Sequence, residues 1–203
     1  MKPDNIQKYI SLMAEIKRRT LVVDSFTQGK THSVYKATTV ETIYLQFRKI
    51  LELIAMGSLV ANKKEFSKIH TKFSNYWNAE KIINDIEKLN SNFYPTPIKQ
   101  NPCEEPEIKS RFEKIPDSKH LTKSDFVSLY KKCGAILHAE NPYGKKIDYD
   151  SYNSMAVVWR QKIRNLLNAH EIRLINDENL YLIQMGAMDA SPSYTVFAPV
   201  EKT

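Results

Sequence analysis

The chain has 203 residues, 42% of them hydrophobic and 26% charged, with 30 Lys and Arg against 23 Asp and Glu and a formal net charge of +7. This balance excludes collagen-like, disulfide-scaffold and disordered classes, and the length suits one domain. The basic excess sits in residues 1–100, with 16 Lys and Arg against 9 Asp and Glu, whereas residues 101–203 carry 14 of each. A one-sided positive field draws phosphate-bearing partners and equally serves solubility.

In chain order, Asp4 or Asn5 caps an amphipathic helix with Ile6, Tyr9, Ile10, Met13 and Ile16 on one face. The Lys17-Arg18-Arg19 cluster suits its end. The period lapses between Thr20 and Lys36, which reads as a short strand or loop. From Thr39 a broad apolar stripe of Ile43, Tyr44, Phe47, Ile50, Leu51, Ile54 and Leu59 predicts the central helix of a bundle. Phe66, Ile69, Phe73 and Trp77 continue a helical period, and Asn78 caps a helix burying Ile82, Ile83, Ile86 and Leu89.

Asn90 to Leu121 holds five of the nine prolines and no sustained period, so it reads as a long connection. Thr122 and Asp125 form a capping box for a helix with Phe126, Leu129, Tyr130, Cys133 and Leu137 inward. Asp150 or Ser151 caps a last long helix, running to about Ala169, with Tyr152, Met155, Trp159, Ile163, Leu166 and Leu167 inward. The period then changes from 3.6 to 2. Leu180 to Met185 and Tyr194 to Phe197 predict a β-hairpin that pairs with Glu171 to Asn176.

The expected fold is mainly α, a helical bundle with a small C-terminal antiparallel β-hairpin or sheet. Residues 1–203 form one domain: a basic helical half (1–90), a Pro-rich connection (91–121), two helices carrying the candidate site (122–170) and a hairpin appendage (171–203). Cys103 and Cys133 are too few for a disulfide framework or a zinc cluster. No apolar run reaches the ~20 residues of a membrane span, and no signal-peptide core is present. A cytoplasmic protein is expected.

The signatures of P-loop, Rossmann, α/β-hydrolase and zincin sites are missing. No cofactor or metal is expected. What remains is Arg164-Asn165-Leu166-Leu167-Asn168-Ala169-His170. It resembles the R-x(4–6)-H motif of the HEPN superfamily, helical bundles that are often metal-independent ribonucleases acting as dimers. The resemblance implies an RNA substrate, a homodimer, a toxin or phage-defence role with a possible antitoxin or other protein partner, and catalysis by Arg164, Asn165 and His170.

Metal-free RNA cleavage needs a group that trades protons near neutrality and a fixed cationic fork for phosphate oxygens. In this reading His170 is the acid or base, Arg164 the phosphate clamp and Asn165 an orienting group. The helical wheel opposes it: His170 falls in the middle of the apolar stripe, where a histidine is ordinarily hydrogen-bonded core.

A second cluster, from Tyr130 to Pro142, places His138 in a helix's last turn, where it serves as a C-cap or lines the same cleft with Lys131, Lys132 and Arg160. Gly134 in mid-helix costs about 1 kcal/mol of propensity, so something packs closely there. Arg48 and Glu52 form an i,i+4 pair that stabilises a helix or pins the bundle. Asn92 to Pro97 interleaves aromatics and prolines, to staple a loop over the core or to stack bases. The alternative to a ribonuclease is a non-catalytic helical module that binds a protein or nucleic acid through the basic half, with His170 as packing.

Overall fold

The computed structural model describes residues 1, 3–69, 78–105, 110–175 and 177–199. Its elements are α1 (Pro3–Thr27), α2 (Lys36–Ala61), α3 (Lys63–Ile69), α4 (Ala79–Leu89), β1 (Thr96–Pro102), β2 (Ser110–Lys114), a 3-10 turn (Asp117–Lys119), α5 (Lys123–Leu137), α6 (Tyr149–Leu167), β3 (Ala169–Ile172), β4 (Leu180–Gln184) and β5 (Ser193–Phe197). The expected helical bundle with a small hairpin is overturned. The chain is a mixed α/β protein with a five-stranded antiparallel sheet in the order β2-β1-β3-β4-β5.

The difference arises in the Pro-rich stretch, which supplies β1 and β2 instead of a connection. Prolines are tolerated where a strand's N–H is not needed by the ladder, at its ends or edges. Pro97 stands opposite His170 near the start of β1, and its carbonyl accepts from Ile115 N–H at 3.2 Å; Pro102 closes the strand.

Among the helices, α1 runs eight residues beyond Arg19 because Val23, seven positions after Ile16, keeps the apolar phase and is fully buried. The Thr20 and Thr27 hydroxyls donate to the carbonyls four residues back, both at 2.9 Å. Helix α2 begins at Lys36 and lies at the centre, burying the expected stripe. Its Gly57 sits where α1 crosses: a Cβ there would lie 3.1 Å from Tyr9 Cε2 and 3.5 Å from Met13 Cε. Of the expected Phe66 to Trp77 helix, α3 ends at Ile69; Phe73 and Trp77 lie outside the described residues.

Asn78 caps α4 by accepting from Lys81 N–H at 2.9 Å. Thr122 and Asp125 make both bonds of the capping box on α5. Asp148, rather than Asp150 or Ser151, caps α6 by accepting from Ser151 N–H at 3.0 Å. Met155 on α6 faces solvent, and Ala156 takes the inward position.

The β4–β5 hairpin forms as expected, and its partner strand starts at Ala169 rather than Glu171. One face of the sheet sends His170, Ile172, Tyr181 and Ile183 into the helices. On the opposite face Ile98 and Leu182 are buried apart from that core. The two edge strands curl toward each other over this face, bringing Phe112 of β2 and Phe197 of β5 to 6.1 Å between ring centroids. Among the described residues no helix is long and apolar enough to cross a membrane.

Candidate functional site

The Arg164 to His170 segment spans the junction of α6 and β3, and the change of backbone direction separates its two ends. Arg164 and Asn165 remain on the helix; His170 is the second residue of β3, directed into the core and 0% exposed. The Leu167 carbonyl, 3.0 Å from Nδ1, can only accept, so Nδ1 carries the proton. Nε2 therefore accepts from the Tyr9 hydroxyl at 2.8 Å.

Both ring nitrogens are thus consumed within the protein. Burial pushes the His170 pKa down to about 4, against a smaller opposing effect of the Leu167 carbonyl. The imidazole is neutral at pH 7 and has no path to a bound phosphodiester. Burial also raises the Tyr9 phenol far above its ordinary range, so the hydroxyl remains a donor.

Arg164 is exposed, and its guanidinium has no hydrogen-bond or ion-pair partner among the described residues. It borders a groove of about 670 Å³ lined by Lys99 and Gln100 of β1, Gln161 and Asn165 of α6, Asn168, Gln184 of β4 and Ser193 of β5. Lys99 is likewise without an ion-pair partner among the described residues. Among the described residues five side-chain amides line the groove, and no carboxylate does.

The amides are held in part by each other. Gln161 donates to Asn165 Oδ1 at 2.7 Å, Asn165 donates to the Lys119 carbonyl at 2.6 Å, and Gln184 donates weakly to Gln100 Oε1 at 3.4 Å. Asn165 is therefore a brace between α6 and the 3-10 turn as well as a groove residue. Sequence reasoning singled out Arg164 and Asn165 but missed Lys99, Gln100, Asn168, Gln184 and Ser193. Thr96 to Pro102 shows no apolar–polar alternation, so nothing in the local sequence announced a strand there.

The other candidates lie elsewhere. Arg160 is clamped to Asp24 of α1, its Nη2 donating at 2.5 Å and its Nε closing a second bond. His138 is exposed at the C-terminal end of α5, and Lys131 of that helix pairs with Glu80 at 3.2 Å, while Lys132 is exposed. The other end of α5 meets α6, where Lys162 donates to Asp125 at 2.7 Å. Thirteen residues at 1.5 Å each place His138 about 20 Å along the helix from that contact, so it shares no cleft with Arg164.

Arg48 pairs with Glu52 at 3.3 Å, lies over the Tyr130 ring and donates to the Tyr130 hydroxyl at 3.3 Å. Its guanidinium occupies the space beside Gly134, 3.6 Å from where a Cβ would stand. This polar tie joins α2 to α5. The basic residues of α1 near α6 are similarly engaged: Lys17 donates to three carbonyls of the β4–β5 turn, and Arg19 pairs with Glu15. Among the described residues no group of three or more His, Cys, Asp or Glu is placed to hold a metal ion. Compared with protein-family models, curated proteins and solved structures, the chain matches none.

Proposed function

We propose that the protein binds RNA without cutting it, through the groove between α6 and the outer face of the sheet. The observation that carries this reading is the groove's lining among the described residues: two cations free of acidic partners there, five amides and no carboxylate. Such a surface attracts a phosphodiester backbone by charge and offers both donors and acceptors to sugar and base. Ribonuclease chemistry is disfavoured because the only histidine of the candidate triad is sealed behind Tyr9.

Two measurements test the reading together. Anisotropy of a fluorescent RNA should rise on titration with the protein, and the Lys99→Gln/Arg164→Gln double variant should bind at least several-fold more weakly. Unlabelled RNA incubated with the protein and EDTA should stay intact. Binding untouched by the double variant overturns the groove, and RNA loss abolished by His170→Ala restores the ribonuclease.

A further inference from the structure

We infer that the groove takes single-stranded RNA and that Phe112 and Phe197 stack its bases; this rests on the RNA-binding reading above. Strand alternation decides which side chains share a surface. Ile98, Gln100, Ala169, Gln184 and Ser193, which line the groove, all lie on the sheet face opposite the one that sends His170 and Ile183 into the core. Phe112 stands opposite Gln100 in the β1–β2 register, and Phe197 follows Ser193 by four residues along β5, so both rings belong to that face.

Phe112 is 37% exposed and Phe197 40%. The rings meet edge to face, at 72° between planes, which leaves ring surface open on each. The face thus runs from Arg164 at its α6 border, through the amides Gln100 and Gln184, to two open aromatics, while Lys99, between Ile98 and Gln100, alternates to the other side of the sheet and meets the groove at its edge. Charge complementarity names the occupant: the cations bordering the groove hold phosphates, aromatics receive bases, and Gln184, whose bond to Gln100 is 3.4 Å long, can turn to base edges.

A duplex keeps its base faces stacked inside and offers nothing to the phenylalanines, whereas a single strand can splay its bases onto them. Backbone attraction alone would favour the duplex, whose phosphates are more densely spaced. The aromatic half of the face therefore converts a general polyanion surface into one that selects unpaired strands.

The test compares a short unstructured RNA, its duplex and the single-stranded DNA of the same sequence, titrated against the full chain and its variants. Phe112→Leu and Phe197→Leu keep apolar cover over Ile98 and Leu182 but lose the π-face; Phe112→Tyr keeps it. The single-stranded RNA should bind more tightly than the duplex, and each Leu variant should weaken it by roughly fivefold or more with an unchanged melting temperature. Phe112→Tyr should bind as the parent does, and 2-aminopurine in the RNA should be quenched by the parent and not by the Leu variants.

Equal binding of duplex and single strand, or Leu variants that bind like the parent, overturns the stacking inference. If Lys99→Gln/Arg164→Gln still weakens binding in that case, the groove reading survives. Tighter binding of DNA than of RNA overturns the assignment to RNA. No binding of any RNA removes both readings.

Discussion

The Tyr9 hydroxyl donates to His170 Nε2 at 2.8 Å, tying the first helix to the third strand across 161 residues of chain. The bond satisfies the one ring nitrogen that the Leu167 carbonyl leaves over, and it does so inside the core. A buried acceptor stripped of its donor costs about 1–3 kcal/mol. Tyr9→Phe should therefore lose that much stability in urea denaturation while RNA affinity stays at the parental level. A drop in affinity without a drop in stability would contradict a purely structural role.

The same histidine sets a pH dependence. Its folded pKa of about 4 lies below the ordinary value of 6.5, so between them the unfolded chain binds a proton that the native chain does not. The stabilisation is complete above about pH 6.5 and is lost as pH falls toward 4, by an amount on the order of 3 kcal/mol. His170→Gln, which does not titrate, should be destabilised at pH 7 and fall less on acidification. Urea midpoints of both proteins at pH 7, 5.5 and 4.5 check this; parallel curves would show that His170 takes up no proton on unfolding.

The two helical glycines should respond oppositely to alanine. At Gly57 the new methyl would meet the Tyr9 ring at 3.1 Å, and that ring is held by its hydroxyl, so strain of about 1–3 kcal/mol outweighs the gain in helix propensity. At Gly134 the nearest atom is Arg48 Nη1 at 3.6 Å, an ordinary contact. Gly134→Ala should be stabilising by up to about 1 kcal/mol. Thermal melts of the two variants decide the matter, and a destabilised Gly134→Ala would mean that the Arg48 tie to Tyr130 had been displaced.

These sites also show which features could be read in the sequence. The Asn78 cap and the Thr122–Asp125 box are local, each written within four residues, and both form as read. Strand β1 is not local: its pairing with β3 joins Thr96 and Pro97 to residues more than seventy positions away, and its residues show no apolar–polar alternation. His170 was ambiguous for a different reason. Continuing α6 would have put it on the apolar stripe, and starting β3 puts it beside Ile172 on the buried face, so both phases bury it and only the choice of element differed. The groove was illegible because it needs β1, β4, β5 and α6 side by side, and no short spacing in the chain encodes that convergence.

The two thiols should separate in reactivity. Cys133 is wholly buried, and burial pushes its pKa up to about 12 despite the nearby Arg48, so almost no thiolate exists at pH 8. Cys103 is partly exposed. Ellman's reagent should modify Cys103 in the native protein and reach Cys133 only after denaturant is added. Rapid modification of both thiols in the native protein would mean that the α2–α5 contact opens readily.

Salt dependence separates the groove from the remaining basic surface. Each phosphate contact on a single strand contributes about −0.7 to the slope of log affinity against log salt. Lys99→Gln and Arg164→Gln should each make the slope shallower by roughly that amount, because neither cation has an acidic partner among the described residues to compensate its loss. Lys132→Gln changes an exposed charge on α5 and should leave the slope unaltered. The three variants alter net charge equally, so a general field effect would shift all three slopes alike. A change confined to Lys132→Gln would move the binding surface to α5, whereas a change confined to Lys99 and Arg164 places the phosphates where α6 meets the sheet.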